Sequence, residues 1–245
     1  MLNRCLLLTV SVIAIFCHAC DEKLADLSSQ DAAAYYPLQV GKYMIYEVDS
    51  VIFFETIDDV YKHWQVKEEI VDTFYDLENL LNYRIERSRR PDASVPWQML
   101  DVWSVRIKNA NIERDENNLR FIKLADPVLH HKSWDGTAYL GDLAELPFER
   151  ECDRLSFLEG WDYTYTSVDS GATIGGIFYD SIITVLQQGD DNLIELNYAI
   201  EVYAKGVGLV QKQFYHYTSQ NTDDIPWEFK AECGYTYTMT LIERN

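Results

Sequence analysis

Few of the side chains that could carry chemistry stand at spacings that would let them act together. Of the five histidines (His18, His63, His130, His131 and His216), no two are placed to turn both imidazoles toward one metal from a single helix or strand face. His130 and His131 are adjacent, so on a strand their rings would point to opposite sides, and a solvated loop is the simpler expectation. No serine lies in a nucleophile-elbow motif and no cysteine has an evident base. Gly206-Val207-Gly208 lacks the third glycine and the following helix of a dinucleotide site. The pairs Asp58-Asp59, Asp190-Asp191 and Asp223-Asp224 suit turns, and none sits in the Asp-x-Asp-x-Asp-Gly loop that gathers oxygens around calcium. Carboxylate pairs of the glycosidase kind are numerous among 40 acidic residues, but their separation is a property of the fold. These patterns point to no catalytic residue, no metal site and no cofactor.

Two features suit binding. Residues 84–123 hold nine basic side chains against six acidic ones, a local excess of three positive charges in an acidic chain. Within that stretch Arg87 and Arg89 share one strand face, where two guanidiniums could fork onto a phosphate or carboxylate; cross-strand pairing with the neighbouring acids is the plainer use of the same residues. The second feature is aromatic. Tyr163 with Tyr165, Tyr215 with Tyr217 and Tyr235 with Tyr237 each place two phenols on one strand face, able to stack on a sugar or line an apolar cup, although half-buried tyrosines are also ordinary sheet residues.

The elements that must position these residues are strands. Met44, Tyr46 and Val48 alternate with Glu47 and Asp49, the period-two pattern of a sheet with one wet face. Further strands are expected over 64–75, 82–90, 97–108, 119–124, 161–168, 176–188, 192–203, 208–217 and 234–243. In the third of these, Trp97, Met99, Trp103, Val105 and Ile107 are assigned to one face. Gly189-Asp190-Asp191-Asn192 reads as a tight hairpin turn, and Gly206–Gly208 as a corner before the next strand. Helix should be scarce, with 56–64 and 140–146 the best short candidates. The fold class is therefore all-β, a mostly antiparallel curved sheet, barrel-like or sandwich. A faint echo of Gly41–Ser50 in Gly160–Ser170 leaves open two related half-sheets, about 35–125 and 155–245, within a single β domain over 35–245.

The first residues set the compartment. Arg4 precedes an uncharged apolar run from Leu6 to Phe16, with Ala19 before Cys20, which reads as an export signal over 1–19 followed by a charged or small tether over 20–34. Cys17-His18-Ala19-Cys20 resembles a bacterial lipobox, in which the signal is cut before a cysteine that takes the lipid; Cys17 stands where leucine is usual. An ordinary signal cut after Ala19 is the alternative. Cleavage there removes Arg4 alone among charged residues, so 226 of 245 residues remain and the formal net charge moves from −19 to −20. Nucleic acid is excluded as a partner by that charge. Cys152 and Cys233 are then the two cysteines of the folded body, free to pair across 81 residues in an oxidising compartment or to stay as separate buried thiols.

Tyr36-Pro37-Leu38 with Gly41-x-Tyr43-x-x-Tyr46, Lys132-Ser133-Trp134-Asp135-Gly136, and Tyr203-Ala204-Lys205-Gly206-Val207-Gly208-Leu209-Val210 resemble an uncharacterised family of Bacteroidota lipoproteins. The resemblance implies an outer membrane lipoprotein, periplasmic or surface-exposed, held through lipid on Cys20, and it carries no activity. The expected role is binding or structural, with a small-molecule, glycan or protein ligand, and the competing class is a periplasmic or surface hydrolase of glycan or lipid.

Overall fold

The computed structural model describes residues 31–55, 57–141, 143, 150, 152 and 154–245. Cys20, the signal, most of the tether and most of the 140–146 helix candidate lie outside these residues.

Twelve strands form one antiparallel sheet: β1 (Tyr43–Phe54), β2 (Val60–Tyr75), β3 (Leu81–Arg90), β4 (Gln98–Lys108), β5 (Asn111–Glu116), β6 (Leu119–Leu124), β7 (Ser133–Asp135), β8 (Asp162–Ile174), β9 (Ile177–Asp191), β10 (Glu195–Ala204), β11 (Gly208–Thr218) and β12 (Cys233–Arg244). Their spatial order is β6-β5-β4-β3-β2-β1-β12-β11-β10-β9-β8-β7, so the first and last strands pair and the mid-chain strands β6 and β7 form the two edges. Those edges meet: the Ile122 N–H donates to Gly136 O at 2.9 Å, and Trp134 Nε1 donates to Ile122 O at 2.8 Å. The sheet is thus a nearly closed barrel, a geometry that removes exposed edges. Among the described residues helix amounts to α1 (Trp227–Lys230) and short 3₁₀ turns, and no helix is long and apolar enough to cross a membrane.

Period-two alternation explains which side chains fill the barrel. Tyr46 and Val48, Tyr163 and Tyr165, and Ile183 and Val185 all lie within a few percent of complete burial. One end is plugged by the 3₁₀ turn Ala32–Tyr35. Its Ala32 N–H donates to Asp126 Oδ1 at 3.1 Å, Ala34 O accepts from the Gly206 N–H at 2.7 Å, and the Tyr35 hydroxyl meets Ser181 Oγ at 2.9 Å. At the opposite end a second 3₁₀ turn, Leu155–Leu158, leads into β8. Cys152 and Cys233 are disulfide-bonded with Cα atoms 5.9 Å apart, and His216 accepts Phe157 as a stacked ring at 4.1 Å while its Nε2 lies 3.0 Å from Cys152 O. These contacts fix the Leu155–Leu158 turn over that end.

Several expected boundaries shift, each for a local reason. Residues 60–64 open β2 instead of a helix, because Trp64 and Val66 belong to the period-two face that packs on β1. β9 continues through Asp191, and the turn falls at Asn192, whose side-chain oxygen accepts from the Ile194 and Glu195 N–H groups. A bulge at Leu100 separates Met99, which is exposed, from the inward-facing Trp103 and Val105. β5, absent from the expected strands, is joined to β6 through Asn117 and Asn118, both at positive φ.

Candidate functional site

The barrel encloses a cavity of about 570 Å³. It lies between the Ala32–Tyr35 plug and the Leu155–Leu158 turn, within the size range of small-molecule sites. Its polar lining comes from both sides of the barrel, Glu68 (β2), Arg87 (β3), Arg114 and Glu116 (β5) and Lys123 (β6) meeting Gln187 (β9), Glu201 (β10) and Lys212 (β11) across the lumen; its apolar lining includes Leu155, Leu158, Trp161, Phe214, Tyr235, Tyr237 and Met239.

The charged groups form one connected network. Arg87 Nε and Arg114 Nη2 both donate to Glu68 Oε1, at 3.0 and 2.7 Å. Arg87 also reaches Asp101 at the rim at 3.0 Å and lies over the Trp103 ring at 3.5 Å. Arg114 Nη1 donates to the Tyr36 hydroxyl at 2.9 Å, which ties the network to the plug. Lys123 Nζ donates to Glu201 Oε1 at 2.6 Å and lies 3.5 Å from Glu116, while Lys212 Nζ is 3.2 Å from Glu201 and 3.9 Å from Glu116. Tyr203 donates its hydroxyl to Glu201 Oε2 at 2.5 Å.

Burial alone would raise the Glu116 and Glu201 pKa values, but the ammonium groups of Lys123 and Lys212 outweigh it and hold both carboxyls below their ordinary range. Lys212, buried beside those two carboxylates, is held above the ordinary lysine value. The phenols of Tyr163 and Tyr203 are raised well above theirs by burial and by Glu201. The general acid of glycoside hydrolysis calls for the opposite shift, a carboxyl raised toward neutrality. No group of three or more His, Cys, Asp or Glu that could hold a metal occurs among the described residues.

Two polar residues of the wall sit at irregular positions in the ladder. Leu124 pairs Ile112 and Ile122 pairs Glu113, so Lys123 is the extra residue of a bulge; Gln188 pairs Ala199 and Leu186 pairs Ile200, so Gln187 is another. Bulges re-aim side chains. Gln187 is 3% exposed, and its Nε2 has no hydrogen-bond partner. A buried amide left in that condition costs about 1–3 kcal/mol.

No protein-family model and no curated protein matches the sequence, so the lipoprotein-family resemblance has no counterpart in these comparisons. A crystal structure of a DUF1329 family protein from Desulfovibrio piger matches over 89% of this chain and 93% of that one, at 10% identity and a TM-score of 0.24. A likeness that low carries no argument.

The residues singled out in the sequence part company here. Arg87 is in the cavity wall, whereas Arg89, two residues further along β3, is exposed and does not line it. Tyr163 lines the cavity; Tyr165, though on the same face, is fully buried and exchanges hydrogen bonds with the Ala125 backbone at 2.9 and 3.0 Å. Tyr235 and Tyr237 line the wall, and Tyr217 packs instead with Phe53 and Trp227 in a separate cluster. The basic stretch 84–123 is divided by alternation: Arg84 pairs with Asp72 and Glu86 outside, while Arg87, Arg114 and Lys123 turn inward. Glu201, Lys212, Trp161 and Phe214 were not legible as site residues, because each looks like one member of an ordinary strand until the barrel brings them together.

Proposed function

We propose that the chain is a lipid-anchored binding protein of the bacterial envelope that holds one small amphipathic molecule inside its barrel. The observation that carries this is the cavity of about 570 Å³ lined by a buried charged network and by aromatic and aliphatic side chains. Buried ion pairs stabilise a fold less well than apolar packing of the same volume, so an ionic wall facing open space is better explained by a ligand than by stability. Anchoring would enter through Cys20, ahead of the Ala32–Tyr35 turn, which lies at the end of the barrel opposite Leu155–Leu158.

Titration of the full chain with N-phenyl-1-naphthylamine, an apolar fluorophore, should show saturable binding of one molecule per chain. Leu158→Arg, a change at a partly exposed cavity residue, should weaken it about tenfold or more. Absence of saturable binding, or indifference to Leu158→Arg, rules out the cavity as the site. Intact mass of the membrane-extracted protein should show diacyl or triacyl addition on a chain beginning at Cys20, with Cys20→Ala released to the soluble fraction. A soluble wild type without added mass rejects the anchor.

A further inference from the structure

We infer that the ligand is an amphipathic acid, bound with its carboxylate between Gln187 and Lys212 and its apolar body against Trp161 and Phe214; this rests on the binding role proposed above. The groups in the wall that want a partner are donors. Gln187 Nε2, in the cavity lining, is buried without a hydrogen-bond acceptor, Arg114 Nε has only a 3.3 Å ion pair with Glu116, and no buried side-chain oxygen among the described residues lacks a donor. A ligand completing this wall therefore brings acceptor oxygens.

Charge points the same way. Four cations line the cavity (Arg87, Arg114, Lys123 and Lys212) against three carboxylates (Glu68, Glu116 and Glu201), and the fourth acid of the network, Asp101, meets Arg87 from the partly exposed rim. Lys212 is the cation with most room. Its side chain is 19% exposed against 3% for Lys123 and Arg114, and its two carboxylate contacts are long, at 3.2 and 3.9 Å. A ligand carboxylate can approach it without breaking a short ion pair.

The ladder sets the positions. Lys212 pairs with Glu201, and Phe214 with Ala199, one step nearer Leu155–Leu158; Gln187 sits at the Ala199 level across β10. Phe214 and Trp161 stack at 5.9 Å and continue the apolar wall toward Leu158. The ligand thus lies with its polar end deep and its apolar end toward the turn.

The experiment is a titration of the full chain followed by the fluorescence of Trp103 and Trp161, using dodecanoate, dodecanol and dodecyltrimethylammonium below their micellar concentrations. Dodecanoate should bind about tenfold or more tightly than dodecanol, the worth of one charge-assisted hydrogen bond, and the cation weakest. Gln187→Leu and Lys212→Met should each weaken dodecanoate more than dodecanol and so bring the two together. Saturable dodecanol binding in each variant shows that its cavity is intact. Gln187→Glu, read independently, should repel dodecanoate and spare the alcohol. Equal binding of acid and alcohol, preference for the cation, or variants that weaken both alike would overturn the acid and leave the cavity role standing; no binding of any of the three would remove both.

Discussion

Two buried charge networks lie on opposite surfaces of the same strands. Inside the barrel, Arg114 and Lys123 engage Glu68, Glu116 and Glu201 beside open volume. Outside, Arg106 is just as buried, donating to Glu113 Oε2 at 2.7 Å and to Asp76 Oδ2 at 2.5 Å, with the Tyr139 hydroxyl donating to Glu113 at 2.7 Å to close the cluster. Their arginines and Lys123 all come from the β3–β6 stretch that reads as one basic run in sequence. Each leaves a buried donor nitrogen unused, Arg106 Nη2 in the outer network and Gln187 Nε2 beside the inner one, but only the inner one borders open space. A buried ion pair by itself therefore marks no site; incompletely used polar groups facing a cavity do.

Replacing one acid in each network should separate them most clearly. Glu113→Gln and Glu201→Gln both leave cations short of a partner, and each should lower stability by about 3–5 kcal/mol in urea melts. Only Glu201→Gln should then be stabilised by dodecanoate beyond the wild-type shift, because only the inner network is reachable from the cavity. Equal rescue of both variants would erase the distinction between them.

The floor of the inner network offers a smaller effect. Gly206 and Gly208 have φ of +72° and +115°, and the Gly206 N–H holds the plug that presents Tyr36 to Arg114. Gly206→Val and Gly208→Val should each cost about 1–3 kcal/mol, since both positions lie where L side chains are strained. The inner network should feel this through Tyr36, visible as weaker dodecanoate binding, while Glu113→Gln should add to either substitution independently. Unchanged urea midpoints in both valine variants would show that the corner tolerates a Cβ.

That corner was legible in sequence because two glycines between alternating runs have one physical explanation. The all-β class was legible for a similar reason: period-two alternation survives in β1, β8 and β11 regardless of which strands pair. Arg87 and Tyr163 could be found as inward candidates. What stayed hidden depends on bulges and closure. Lys123 and Gln187 owe their positions to extra residues in β6 and β9, which no spacing rule reveals. The five strands on each side of the β1–β12 pair close to bring Glu68 and Glu201, 133 positions apart, to one cavity.

Acid should unfold the protein through these networks. Glu116 and Glu201 are held below their ordinary value of 4.5, so they contribute stability above that pH and lose it as pH falls through their folded values. Glu201→Gln should flatten the acid limb of a stability-against-pH curve measured by urea melts. An unchanged limb would place its origin elsewhere, in the outer Asp76, which is also held low by the Leu80 N–H and by Asn82 and Arg106.

The smallest effect lies in alkali, and its sign reverses within a few pH units. Lys42 is pulled down from 10.5 to about 8 by burial and by Arg244, so between those values the unfolded chain binds more protons and stability should rise with pH. Tyr36 is pushed from 10.0 up to about 12, chiefly by burial against the pull of Arg114, so its contribution is complete below pH 10 and disappears as pH rises through 12. The curve should climb gently from pH 8 and turn over near 10. Lys42→Met should remove the climb and Tyr36→Phe should soften the descent, the latter also losing about 1 kcal/mol at neutral pH with its hydrogen bond to Arg114. A descent unchanged in Tyr36→Phe would mean that the plug and the inner network titrate separately, and that the contact between Arg114 and Tyr36 does not couple them.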